Sequence, residues 1–468
     1  MNVAETERQP QHLVLVLPSS AEFDSRTYRI ATTAIARGHR VTVLARWHAG
    51  LPDEEVHPAG YRIVRIHASS IDGLPFPWLR AFAGAALRRI RGRPLQRSAQ
   101  ASTLAPPTKG PTGSDLAGGE IAGAEPATPA PTGSASLPRR AFAGLVRRLA
   151  IPLTIRSHRK NALPVAPAAD LYHGMAYMGI PVALALGRRH RAPVVYDARD
   201  IYLEARNLSR MRGPARWLLA TAERRWAHSS ARVITVNEAY ADVLERSLRV
   251  PRPLIVMNCS YRYDPPDPPV RRFHDRLGLP AHRHVVLYHG GLFAHRGIEE
   301  LITAIADVPG ADLVLMGYGV LAEALPAIIA SSPAAKRIHI LPAVPPQELH
   351  DWVAAADIVA MPIQPSTLNH RLTTPNKLFE AMAAGVPIVA SDLPGMATIV
   401  SETRCGVLCD PIDPSSIATA IRRLLDAPSD EREAFGIRGR TAAHETYNWE
   451  TQAEILFGEY GRLTGRPW

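Results

Sequence analysis

A chain of 468 residues and 51.0 kDa, 46% hydrophobic and 21% charged, has room for two or three domains with sizeable buried cores. It holds no run near the ~18 apolar residues of a membrane-spanning helix, and its opening MNVAETERQP, with two acids and no apolar core, is not read as a secretory signal. Three cysteines, Cys259, Cys405 and Cys409, are too few and too unevenly placed for a disulfide framework or a four-ligand zinc site, so a reducing, cytoplasmic compartment is expected.

The net charge of +11 is local: residues 78–160 hold 14 Lys and Arg against 3 Asp and Glu, and the rest of the chain balances to zero. Recognition of nucleic acid would spread cations through the folded elements, so no nucleic-acid partner is expected. A local anionic partner or a solvated basic patch fits better.

In chain order, the apolar run 12–17 (HLVLVL) lacks polar alternation, as buried parallel strands do. Asp24 or Ser25 caps a helix through Ala36 that Gly38 ends, and strands follow at 41–45 and 61–66. Residues 101–138 are rich in Pro, Gly, Ala, Ser and Thr without an aromatic, a composition that predicts disorder. Alternation resumes with strands at 170–173, 193–196, 232–236 and 253–257 and helices near 175–188, 211–228 and 238–247. The stretch DPPDPPV at 264–270 reads as a linker. A second alternating series has strands at 285–289, 312–316, 337–340, 357–361, 387–390 and 406–408, with helix closing the chain. Two doubly wound α/β domains are expected: 1–265, then 266–446, with 447–468 a terminal helix. Ligands bind such sheets at the carboxyl ends of their strands, so the cleft between the domains is the expected site.

Strand, glycines and helix start adjoin at Gly290, Gly291 and Arg296, an arrangement that exposes backbone N–H groups to an anion while Arg296 offers forked donors. Gly317 repeats the turn after the next strand. In TPNKLFEAMAAGVPIVASD, Pro375 and Gly385 bound a helix whose first turn holds Asn376, Lys377 and Glu380. Lys377 would face phosphate and Glu380 a ribose diol; as a bare pattern the pair is also an ordinary surface ion pair.

PNKLFEAMAAGVPIVAS resembles the signature of the family-4 retaining glycosyltransferases of the GT-B fold, in the glycogen-synthase and mannosyltransferase-like superfamily. YHGGLFAHRGIEELITAI, LVLMGYG, ADIVAMPI, GVLCDPIDPSSIATAI and YNWETQAEILFGEY stand in that family's order, so the resemblance covers nearly the whole chain. It implies two Rossmann-like domains facing each other across a cleft, with a nucleotide-diphospho-sugar donor on the second and a glycan or lipid-linked acceptor on the first. No metal and no separate cofactor are implied, and the last helix is expected to cross back to the first domain. Arg296 falls on the basic position at the donor diphosphate, and Gly290 and Gly291 on the loop beside it. Asn376 and Lys377 fall on the loop lining phosphates and sugar, and Glu380 on the second glutamate of an E-x7-E pair. The first glutamate is replaced by Leu372. Arg199 stands where many members carry histidine; it cannot act as a base at neutral pH but can stabilise departing phosphate, or form a salt bridge with Asp197 or Asp200.

His173, at the end of a neighbouring strand, is the other catalytic candidate or a satisfied core histidine. Asp24 is an N-cap or an acceptor contact, and Arg26 an acceptor contact or a solvated cation. The reading is hexosyl or N-acetylhexosaminyl transfer in cell-envelope, exopolysaccharide or other glycoconjugate synthesis. Its rivals are a catalytically inactive binding subunit and a nucleotide-sugar epimerase. Finally, 78–97 and 139–160 mix arginines with apolar residues at helical spacing, which suits peripheral contact with an anionic membrane; the alternative packs both apolar faces on the domain.

Overall fold

The computed structural model describes residues 9–22, 24–74, 150–209, 211–267 and 270–468. The stretches 78–97, 101–138 and 139–149 lie outside them, as do residues 268–269 of the Pro-rich linker.

The first unit is built from β1 (His12–Val16), α1 (Ser25–Ala36), β2 (Arg40–Arg46), β3 (Glu54–Val56), β4 (Arg62–Ile66), α2 (Ala150–Val165), β5 (Leu171–Met175), α3 (Ala176–His190), β6 (Val194–Asp197), α4 (Gly213–Ser229), β7 (Arg232–Thr235), α5 (Glu238–Leu248) and β8 (Leu254–Ile255). Its strands lie in the order β3-β4-β2-β1-β5-β6-β7-β8, all parallel except β3, which runs antiparallel to β4. The short edge strand β3, two glutamates and an exposed Val56, has no apolar run to announce it, and the sequence pattern misses it.

Successive side chains of a strand point to opposite faces, and both faces here are covered. Leu13 and Leu15 of β1 pack with α1 on one side; Val14 and Val16 pack with the α3 side on the other. Buried on both sides, β1 carries the unbroken apolar run seen in the sequence.

The second unit contains, among its elements, β9 (His284–Gly291), α6 (Ile298–Ala304), β10 (Ala311–Tyr318), β11 (Ile338–Pro342), β12 (Ile358–Met361), α7 (Asn376–Ala384), β13 (Ile388–Ser391), α8 (Pro394–Thr403), β14 (Gly406–Cys409), α9 (Pro414–Leu425) and α10 (Ser429–Glu445). Its six strands are parallel in the order β11-β10-β9-β12-β13-β14. The closing helix α11 (Trp449–Thr464) packs on the first sheet: Trp449 Nε1 donates to Thr33 Oγ1 at 2.8 Å, and the Arg37 guanidinium lies 4.6 Å from the Phe457 ring. Among the described residues no helix is long and apolar enough to cross a membrane.

Strand order reverses between β1 and β5 in one sheet and between β9 and β12 in the other. Segments leaving those strands at their carboxyl ends are where an open α/β sheet holds a ligand.

Candidate active site

In the second unit, β9 runs into His289, Gly290 and Gly291. Gly290 and Gly317 are register partners on β9 and β10, and a Cβ on Gly317 would stand 1.9 Å from the Gly290 carbonyl oxygen. No larger residue fits there, so the two strand ends close together. Helix α7 starts beside them. Lys377 is buried with its Nζ 3.7 Å from the centroid of the Tyr288 ring, which holds a desolvated ammonium by its π face. Three residues on, about one helical turn, Glu380, also buried, meets His289: Nε2 and Oε2 are 3.3 Å apart. Burial first, then the positive charge of Lys377, pushes the His289 pKa down to about 3, so the ring is neutral and donates to the carboxylate. The pairing of His289 with Glu380 has no motif in the sequence; only a histidine inside an apolar strand hints at it. Arg296 is half-buried in the turn before α6.

In the first unit, Asp24 is the N-cap of α1, accepting from the Thr27 N–H at 3.0 Å. It is also the partner of Arg199, whose Nη1 lies 2.8 and 2.7 Å from its two oxygens. The N-cap reading of Asp24 thus describes its geometry, and Arg199 Nη1 pairs with Asp24 and with neither Asp197 nor Asp200. Burial opposes the charge of Asp24, but the Arg199 guanidinium and the hydrogen bonds from Thr27 together hold the carboxyl below its ordinary range.

Arg26 corrects the expectation of an acceptor contact. It is 1% exposed; Nε and Nη2 reach the two Asp197 oxygens at 2.6 and 3.2 Å, and Nη1 reaches the Val256 carbonyl at 2.7 Å. A buried guanidinium needs such partners, so this arginine ties α1 to the sheet. His173 is likewise enclosed: Nε2 is 3.1 Å from Asp197 and Nδ1 2.6 Å from the Tyr460 hydroxyl on α11, which occupies both ring nitrogens. It holds Asp197 instead of facing a cleft.

The two groups meet at a polar junction. Asn376 Nδ2 donates to Ser25 Oγ at 3.1 Å, and Asn258 Nδ2 donates to Asn376 Oδ1 at 2.8 Å. A second contact lies nearby: the Ile201 N–H donates to Asn369 Oδ1 at 2.9 Å, Tyr240 donates to the Asn369 carbonyl at 3.1 Å, and Asn237 donates to the Leu372 carbonyl at 2.8 Å. Leu372 itself packs on the apolar core of the first unit, so the residue standing for the absent glutamate serves the contact between units. Sequence reasoning missed Asn369, whose partner lies far away along the chain. Among the described residues no group of three His, Cys, Asp or Glu side chains could hold a metal ion.

Two parallel α/β sheets with their strand ends meeting in this way define a GT-B fold. A sucrose-phosphate synthase from Thermosynechococcus elongatus superposes with a TM-score of 0.66 over 98% of this chain and 100% of its own, at 18% identity. Residues 283–427 match the family model described as "Glycosyl transferases group 1", so the second unit carries a group 1 glycosyl transferase domain. A D-inositol 3-phosphate glycosyltransferase of Xylanimonas cellulosilytica is 30% identical over 197 residues, 41% of this chain and 45% of that protein. A GDP-mannose-dependent alpha-(1-6)-phosphatidylinositol monomannoside mannosyltransferase of Mycolicibacterium smegmatis is 31% identical over 203 residues, 41% and 53% of the two chains. The alignments thus span about half the length of these relatives.

Proposed function

We propose that the chain is a retaining glycosyltransferase that moves a sugar from a nucleotide-diphospho-sugar to a glycan or lipid-linked acceptor in cell-envelope or glycoconjugate synthesis. The observation that supports this is the hydrogen bond of Asn376 to Ser25, which joins the first turn of α7, home of Lys377 and Glu380, to the start of α1, whose cap Asp24 holds Arg199. The names of the relatives support a nucleotide-sugar donor and, in one case, a phosphatidylinositol mannoside acceptor.

In this reading Glu380, steadied by His289, receives the ribose hydroxyls. Gly290, Gly291 and Gly317 let the diphosphate approach the backbone, and Asn376 lines its path. Arg296, Lys377 and the N-terminus of α7 balance the charge that grows on the leaving diphosphate. Arg199, whose buried Nε has no hydrogen-bond partner among the described residues, adds a donor on the acceptor side; it holds its proton throughout. With no base assigned, the leaving phosphate takes the acceptor proton, and substitution on one face retains configuration. Metal independence and attachment to the cytoplasmic membrane face belong to the same proposal.

Purified full-length protein should be stabilised by one nucleotide-sugar in a thermal-shift panel and transfer its sugar. Arg296→Ala and Glu380→Ala should each abolish that stabilisation with the circular dichroism unchanged. Full donor binding by both variants would falsify this donor site. Leu372 and the Arg199–Asp24 pair favour a second reading, a non-catalytic binding subunit. Transfer or donor hydrolysis by the purified chain alone excludes it, and sugar interconversion without acceptor would point to an epimerase.

A further inference from the structure

The basic stretch 139–160 enters the described structure as the start of α2, whose apolar side is used internally. Ile155, Ser157, His158 and Ala162 are buried, while Arg156, Arg159 and Lys160 are exposed. The exposed apolar side chains lie on another helix of the same layer. On α4, Trp217 and Leu218 are 66% and 59% exposed, and Trp217 is the one exposed aromatic among the described residues. Helical spacing places them in a stripe with Pro214 and Thr221 that runs toward the exposed Arg225. Helices α2 and α4 belong to one layer: both pack on α3, and Ile155 and Ile151 share an apolar cluster with Leu219 and Met211.

Charge on this layer has one sign. From 150 to 231 no acidic side chain is exposed: Asp197, Asp200 and Glu223 are buried, and the half-buried Asp170 and Glu204 are paired with Arg466 and Arg216. The next helix, α5, marks the edge, since its Glu238, Asp242 and Glu245 gather on Arg252.

We propose that the outer face of α2 and α4 docks on an anionic lipid surface. Trp217 and Leu218 enter the headgroup region, and Arg156, Arg159, Lys160, Arg212 and Arg225 meet the lipid phosphates. A soluble polyanion would use the cations alone. An exposed indole beside a leucine is costly in water and favourable at a bilayer interface, where an amphipathic ring has both its media. The inference rests on the membrane attachment proposed above and assigns it to described residues; vesicle binding needs no donor, so it is tested apart from sugar transfer.

Co-sedimentation of the full chain with phosphatidylcholine vesicles, and with equimolar phosphatidylcholine and phosphatidylglycerol, tests it. Binding should require phosphatidylglycerol and weaken with salt. Trp217→Ser combined with Leu218→Ser should reduce binding about tenfold with an unchanged melting temperature, since neither side chain supports the core. Arg156→Glu with Arg159→Glu should also reduce it. A wild-type chain that ignores anionic vesicles overturns the proposal. So does a Trp217→Ser/Leu218→Ser variant that binds as wild type does, because docking would then use charge alone or another segment.

Discussion

Asn376, the first residue of α7, donates a hydrogen bond to Ser25, the first residue of α1, across 3.1 Å. Two helix N-termini from different units therefore face one junction, and both direct positive dipole ends toward it. Asn258 completes the link, with its Nδ2 3.2 Å from Ser25 and 2.8 Å from Asn376. Hydrogen bonds between neutral groups contribute about 1 kcal/mol each, so this junction registers the units without locking them.

Asn376→Ala should accordingly cost only about 1 kcal/mol of stability in urea unfolding. Its transfer kcat/KM should fall about tenfold, because Lys377 and Glu380 lose their register against Arg199. Unaltered kinetics in this variant would show that the junction is a passive contact.

Asp197 gathers Arg26, His173 and, through His173, Tyr460 of the closing helix. Burial works against its charge, yet Arg26 and then His173 hold its carboxyl far below the ordinary range. Asp197→Ala leaves a buried guanidinium unpaired and should cost about 3–5 kcal/mol. Arg26→Met with Asp197→Leu should recover much of that loss, because it removes both charges together. Urea midpoints of the single and double variants measure the difference; a double variant as unstable as Asp197→Ala would show that packing, and not the stranded charge, sets the cost.

Arg199 is held by Asp24 from the cap of α1. If the Nε side of the guanidinium meets charge developing on phosphate, Arg199→Ala should lower kcat about 10²-fold with a smaller change in donor KM. Arg199→Lys should recover little, since an ammonium cannot hold Asp24 and a second anion in one plane. Asp24→Asn keeps the cap but frees the arginine, and an intermediate kcat is expected. A loss confined to KM would instead make Arg199 a simple binding group.

Much of the architecture was readable because its signals are local. Apolar runs such as HLVLV mark strands covered on both faces, and Pro375 and Gly385 bracket α7. The same locality singled out Arg296, Lys377 and Glu380 as candidates, since turn, helix start and charge lie within a few residues. What could not be read depends on pairings across the fold. Arg26 looked like a surface cation by spacing, and only Asp197, brought beside it by the parallel sheet, makes it an interior one. His289 and Glu380, and Asn369 and Ile201, are likewise joined by topology alone. The edge strand β3 was missed for the opposite reason: it buries too little to leave a pattern.

Stability against pH should show two opposed contributions. Burial lowers His289 to about 3 and His158 and His350 to about 4, so all three stay neutral in the fold where the unfolded chain takes up protons. Their folded values lie below the ordinary ~6.5, so stability falls as pH drops through the range below that value. Glu223 does the reverse. It is buried, accepts from the Tyr196 hydroxyl at 2.9 Å, and is raised by burial to about 7. The fold keeps it protonated where the unfolded chain has already ionised it, so this contribution is present below the ordinary ~4.3 and lost as pH rises through about 7. Glu223→Gln keeps an acceptor for Tyr196 and removes the buried charge. It should leave stability at pH 4 almost unchanged and add about 2–3 kcal/mol at pH 8. Urea unfolding across that range measures the difference. A gain of equal size at both ends would mean that the substitution acts through packing, and that Glu223 does not titrate inside the fold.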